Sequence, residues 1–221
     1  MNISSDWKNK SLTQLSIEEL AYAHLGGADS YQLKDGYLDS ILPIICQEIR
    51  HSRNMNYSKN FVPVVSSFAV IEQIGFSYSR NDKLEYSNPC ASPIKKAMYY
   101  FADYEEDDRD IEALYSLRNS FLHNASLMAK AKHTNQTSFY FQFDRSLNKL
   151  AEYPNFNWDG NIQNFEPETM TTLINPNYII KMAFDIVEKA LSCLEDNTLD
   201  VCIKDGKQEL YYRFLKYRNL S

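Results

Sequence analysis

Within LRNSFLHNAS, residues 117–126, an arginine, an asparagine and a histidine interrupt an otherwise apolar helical pattern: Arg118, Asn119 and His123. A guanidinium presents a planar fork of donors that matches two phosphate oxygens. An imidazole gives or takes a proton near neutral pH. An asparagine amide can orient either neighbour by hydrogen bonding. Together these groups suit proton transfer beside a bound phosphate.

Successive residues of a helix are turned by about 100°, which puts Leu114, Leu117, Phe121, Ala125 and Met128 on one stripe that should face the core. Asn119 and His123 share the opposite face with Glu112 and Ser116, so His123 is not expected inside the core of its own subunit. Arg118 lies on the flank, roughly 7.5 Å of axial rise before His123. Helical side chains lean toward the N-terminus, which tilts Arg118 away from His123 in its own chain. The projection therefore predicts a shared site, in which two antiparallel copies across a two-fold axis bring each Arg118 to the other chain's His123.

The helix carrying these groups is predicted over about Ile111 to Ala131, behind the acidic run DYEEDDRD. Carboxylates there favour a helix N-terminus, and a solvated charge run is preferred over a metal cluster because no histidine accompanies it. Upstream, Ser16-Ile17-Glu18-Glu19 has the form of a capping box ahead of LAYAHL, with Gly26-Gly27 as a stop. Asp39 and Pro43 should open a helix with a stripe of Ile41, Ile44, Ile45 and Ile49, followed by a buried central helix over 61–76 and another begun by the proline of SPIKKAMYYFADY. Beyond the motif, Phe139, Phe141 and Phe143 alternate with polar neighbours, the period of a strand, and YPNFNWDGN should add a shorter strand and a turn. Asn175-Pro176 opens a long amphipathic helix with Ile179, Ala183, Ile186, Ala190 and Leu194 inward, and ELYYRFLKYRNLS reads as a final helix. The expected fold is mainly α, with an N-terminal helical extension over 1–36 and a helical domain over 37–221 that carries a β-hairpin at about 137–162.

With 221 residues and 44% hydrophobic content, the chain can bury one substantial core. A net charge of −6 provides no global attraction to nucleic acid, so polyanion binding would need a local basic patch or a partner. The N-terminus MNISSDWKNK has no basic segment followed by an apolar run, and a cytoplasmic location is expected, with no membrane association. Cys46, Cys90, Cys193 and Cys202 form no zinc-ligand spacing and are read as small buried hydrophobes; no metal or other cofactor is expected. The sixteen tyrosines and twelve phenylalanines are spread through the chain and are assigned mostly to core or half-buried surface.

Arg118-Asn119-Ser120-Phe121-Leu122-His123 resembles the RxxxxH motif, with a polar residue after the arginine, of the HEPN superfamily of helical nucleases. The helical layout is similar over about residues 37–196. The resemblance implies a metal-independent endoribonuclease acting as a homodimer, often a toxin or antiviral defence factor, with an antitoxin or regulatory protein as partner. It also implies an alternative, since some members are non-catalytic modules that bind nucleotide or RNA, or assemble proteins. In the ribonuclease reading His123 is the general acid or base, Arg118 the bidentate phosphate clamp and Asn119 the orienting group. The expected products carry 2′,3′-cyclic phosphate and 5′-hydroxyl ends. Lys130, Lys132 and His133, read as the end of the motif helix, and Arg50 and Arg53, near the end of an earlier helix, are candidates for guiding RNA; compensation of helix dipoles is the preferred role for each alone. Some toxin members continue as RxxxxHxY, with the tyrosine modified by a partner enzyme. Position 125 here is alanine, so that form of control is not expected.

Overall fold

Ser16 starts α1 (Ile17–Leu25) by the expected capping box: its hydroxyl accepts from the Glu19 N–H at 3.2 Å, and its own N–H donates to the Glu19 carboxylate at 2.8 Å. A computed structural model describes residues 6–133 and 136–220; the first five residues of the expected N-terminal extension and the terminal Ser221 lie outside it. After α1 come β1 (Ser30–Gln32), β2 (Gly36–Ser40), α2 (Ile41–Ser52), α3 (Val62–Ser77) and β3 (Tyr78–Arg80). Asp39 does not cap α2. It belongs to β2 and pairs with Arg218, because β2 continues its ladder as far as Ser40. The buried face of α2 is Leu42, Cys46 and Ile49, which leaves Ile41 and Ile44 exposed rather than on the expected stripe.

Helix α3 is central, as its apolar sequence predicts, and packs against α2, α7 and α4 (Pro93–Phe101). Gly75 permits the close approach to α4, since a Cβ there would overlap the Pro93 carbonyl. Pro93 occupies the first turn of α4, where its missing N–H costs nothing. The motif helix is α5 (Arg109–Asn124), followed by β4 (Met128–Ala129), β5 (Phe139–Phe143), β6 (Ala151–Glu152), the short α6 (Pro167–Met170) and β7 (Thr171–Ile174). Asn175 caps α7 (Pro176–Glu195) by accepting from the Asn177 N–H, and all five residues of the expected α7 stripe are buried. The chain closes with β8 (Leu199–Val201), α8 (Gly206–Phe214) and β9 (Leu215–Asn219).

Three further expectations are corrected. The fold is mixed α and β rather than mainly α, with eight α-helices and three small sheets among the described residues. The expected hairpin is a four-stranded sheet of order β4-β5-β7-β6, in which β5 and β7 run parallel. Its outer strand β4 comes from residues assigned to the motif helix, while Thr171 to Ile174, rich in β-branched side chains, supplies β7 just ahead of α7. The final helix gives way after Phe214 to a strand in which Leu215 is buried, Tyr217 half-buried and Lys216 and Arg218 exposed, the period of two that fits β2. One buried hydrophobic cluster extends from Trp7 through α1, α3, α5 and α7 to Leu215. Among the described residues, no helix is long and apolar enough to cross a membrane.

Candidate functional site

Helix α5 is fixed along one side by Leu114, Leu117 and Phe121, all buried, and it packs against α3, α4 and the four-stranded sheet. The other expected members of that stripe leave it: Ala125 is exposed beyond the helix end, and Met128 lies in β4. Ala125 ends the helix in the left-handed region, at φ 49°, with its N–H donating to the Phe121 carbonyl at 3.0 Å. Below the last turn, Phe61 stacks on Phe121 at 5.3 Å and Phe143 meets it edge-on at 5.8 Å, which ties the start of α3, the end of α5 and β5 together. Near the other end, the Glu112 carboxylate accepts from the Thr137 N–H at 2.8 Å and so joins α5 to the entry of β5.

Contrary to the helical projection, Arg118 and His123 converge within a single chain. Arg118 Nη1 donates to Asn119 Oδ1 at 2.9 Å and approaches His123 Nε2 at 3.3 Å. Its Nη2 donates to Glu72 Oε2 at 2.5 Å, closing an ion pair between α5 and α3. The long arginine stem thus crosses Asn119, and these contacts outweigh the N-terminal lean on which the separation was argued. A guanidinium only donates, so the His123 contact calls for a neutral ring with a lone pair on Nε2 and its proton on Nδ1. His123 is exposed, Asn119 is half-buried, and the side chains of Arg118 and Glu72 are each 20% exposed. The cluster therefore opens to solvent on the imidazole side.

A scan against protein-family models, a search of curated proteins and a search of solved structures each found no match.

Glu72 is the participant that sequence reasoning missed. It is the one charged residue in FVPVVSSFAVIEQIGF, but it lies on the outer face of that helix and its arginine is 46 positions away, so no local pattern marks it. Among the described residues, none of the basic candidates is hydrogen-bonded or ion-paired to Arg118, Asn119 or His123. Lys130, Lys132 and His133 follow β4 rather than ending the motif helix, and all three are exposed. Lys130 Nζ lies 5.7 Å from the Trp158 ring centre. Arg50 is in the last turn of α2, its guanidinium 4.7 Å over Phe184, and Arg53 follows that helix, exposed. The acidic run is engaged within the fold: Asp108 accepts from the nearby Glu105 N–H at 2.7 Å, and Asp110 accepts from the distant Tyr153 hydroxyl at 2.5 Å. Among the described residues, no group of three or more His, Cys, Asp or Glu side chains is placed to hold a metal ion.

All four cysteines are free; Cys46 and Cys193 are buried as expected, but Cys90 and Cys202 are exposed. Burial pushes the Cys46 thiol above its ordinary value. His24, which the sequence singled out for no role, is fully buried: its Nδ1 lies 2.7 Å from the Tyr78 hydroxyl, and Gln73 Nε2 donates to its Nε2 at 3.0 Å. Desolvation holds its pKa down to about 3, so it is a neutral structural histidine. Two open clefts, of about 550 and 470 Å³, are lined by α7 and the α4–α5 loop, and by the four-stranded sheet with the segments beside it. Neither includes Arg118, Asn119 or His123.

Proposed function

We propose that the protein is a cytoplasmic, metal-independent endoribonuclease of HEPN type, acting as a homodimer and serving as a toxin or antiviral defence factor under an antitoxin or regulatory protein. The observation that carries this reading is the convergence of Arg118, Asn119 and His123 at the surface of one helix, with the imidazole exposed. Once the long Arg118 contact at 3.3 Å gives way to substrate, the Nε2 lone pair of a neutral His123 can take the proton of an RNA 2′-hydroxyl as its oxygen attacks the adjacent phosphorus. The P–O5′ bond breaks, and a protonated His123 from the second subunit donates to the departing oxygen. Arg118 stabilises the charge that develops on the phosphorane, and Asn119 keeps Arg118 oriented. The products are a 2′,3′-cyclic phosphate and a 5′-hydroxyl, with no atom unaccounted for.

A second copy is favoured by the outer face of α3. Val62, Val65, Ala69 and Phe76 share that face with Glu72 by helical spacing and are all exposed, beside the ion pair to Arg118. A different observation favours the non-catalytic reading: Arg118 already donates to Glu72 and Asn119 and faces His123, as it would if the triad only braced α5 against α3.

Incubation of the purified protein with varied RNAs in EDTA separates the two. The ribonuclease reading expects cleavage with cyclic phosphate ends, lost in His123→Ala. Absence of cleavage by the native dimer, or equal cleavage by His123→Ala, overturns it. A strictly monomeric mass at micromolar concentration would remove the second histidine on which the proton transfers depend.

A further inference from the structure

The five N–H groups of Arg118 can be followed one by one. Nη1 has two, directed at Asn119 Oδ1 and His123 Nε2. One Nη2 hydrogen goes to Glu72 Oε2. Nε is buried and has no hydrogen-bond partner among the described residues. One Nη2 hydrogen is left. While Glu72, Asn119 and His123 are all bound, Arg118 is therefore a single-point donor, not the bidentate phosphate clamp expected from its residue type.

Glu72 sits on a helix face whose other members, Val62, Val65, Ala69 and Phe76, are apolar. A partly buried ion pair adds little net stability compared with apolar packing of similar volume, so stability alone is a weak reason for a carboxylate there. Its geometric effect is larger. The stem of Arg118 has several freely rotating bonds, and its contacts within α5 come from one side, the His123 contact being long at 3.3 Å. Glu72 holds the guanidinium from a different helix, so its plane is set by three points.

The geometry points to Glu72 as a positioning residue that fixes the Arg118 guanidinium against Asn119 and His123 and leaves one Nη2 hydrogen to meet a non-bridging oxygen of the reacting phosphate. This assignment deepens the ribonuclease reading and rests on it for its catalytic consequence. The positioning itself does not depend on that reading. Holding a donor in place before reaction avoids reorganisation at the transition state, and misplacement by about 1 Å can cost about 100-fold in rate.

The test uses the full chain with Glu72→Ala and Glu72→Gln. Side-chain nitrogen-15 NMR should show distinct, slowly exchanging Arg118 Nη signals in the native protein. They should be averaged in Glu72→Ala and restored in Glu72→Gln, whose amide oxygen still accepts. In RNA cleavage, Glu72→Ala should lower kcat by about 10- to 100-fold with KM changed by less than about threefold, and Glu72→Gln should recover most of the loss. Averaged Arg118 signals in the native protein, or slow signals that persist in Glu72→Ala, overturn the assignment. So does a kcat for Glu72→Ala within about twofold of native. If the native protein cleaves no RNA, the ribonuclease reading fails, and the Arg118 signals still decide whether Glu72 positions the arginine.

Discussion

Arg118 shows how little a residue type says about the state of its functional group. Its sequence neighbours suggested a free fork for phosphate, but in the fold three of its five donors are directed at neighbours and a fourth is buried. A lysine at this position would keep the charge and lose the planar arrangement that reaches Glu72, Asn119 and His123 together. Arg118→Lys is therefore expected to lower RNA cleavage by about 10- to 100-fold, a range set by misplacing a pre-oriented donor, while the far-ultraviolet circular dichroism stays native. Equal cleavage rates would mean that charge alone suffices. Asn119 and His123 were legible from their shared helix face, because that face follows from local geometry. Glu72 was not, because its pairing spans 46 positions and no local pattern specifies which arginine it meets.

At the scale of elements, the two ends of α5 differ in what decides them. Its start follows an acidic run in the sequence, but its end is tertiary: alanine is the best helix former, and nothing in NASLMAKA demands a stop. Pairing of Met128 and Ala129 with β5, together with the aromatic contact of Phe121 with Phe143, draws the chain out of the helix at Ala125. A non-glycine residue in the left-handed region costs roughly 1–2 kcal/mol, whereas glycine would add about 0.4–1 kcal/mol of unfolded-chain entropy. Ala125→Gly should thus stabilise the protein by roughly 0.5 kcal/mol in urea denaturation; a clear loss of stability would contradict the strain at this turn. Gly75 presents the opposite case. Because the added methyl would overlap the backbone of α4, Gly75→Ala should destabilise by about 2 kcal/mol or more, measurable in the same experiment.

For the whole molecule, His24 is a junction. It lies in α1, bonds Gln73 of α3 and Tyr78 of β3, and stacks on Phe214 of α8 at 4.8 Å. Its pKa is held down to about 3 by desolvation, from an ordinary 6.5. The folded state keeps this ring neutral, while the unfolded chain takes up a proton as pH falls through 6.5. Stability from this group is therefore complete above that pH and declines as pH drops toward 3, by about 1.4 kcal/mol per unit. Between pH 6.5 and 5 the unfolding free energy should fall by about 2 kcal/mol, and His24→Gln should flatten the slope. An unchanged slope in that variant would assign the pH dependence elsewhere.

Short-range signals were enough for several features: the capping box of α1, the proline-led start of α4, the asparagine cap and inward stripe of α7, and the outward face shared by Asn119 and His123. These depend on contacts between residues a few positions apart, where spacing alone decides which side chains meet. Long-range packing fixes where α5 stops, which strands flank β5, that the tail joins β2, and that Arg118 is held between Glu72, Asn119 and His123. Strand pairing and a cross-helix ion pair need partners far along the chain. Local propensity carries no information about which of them will arrive.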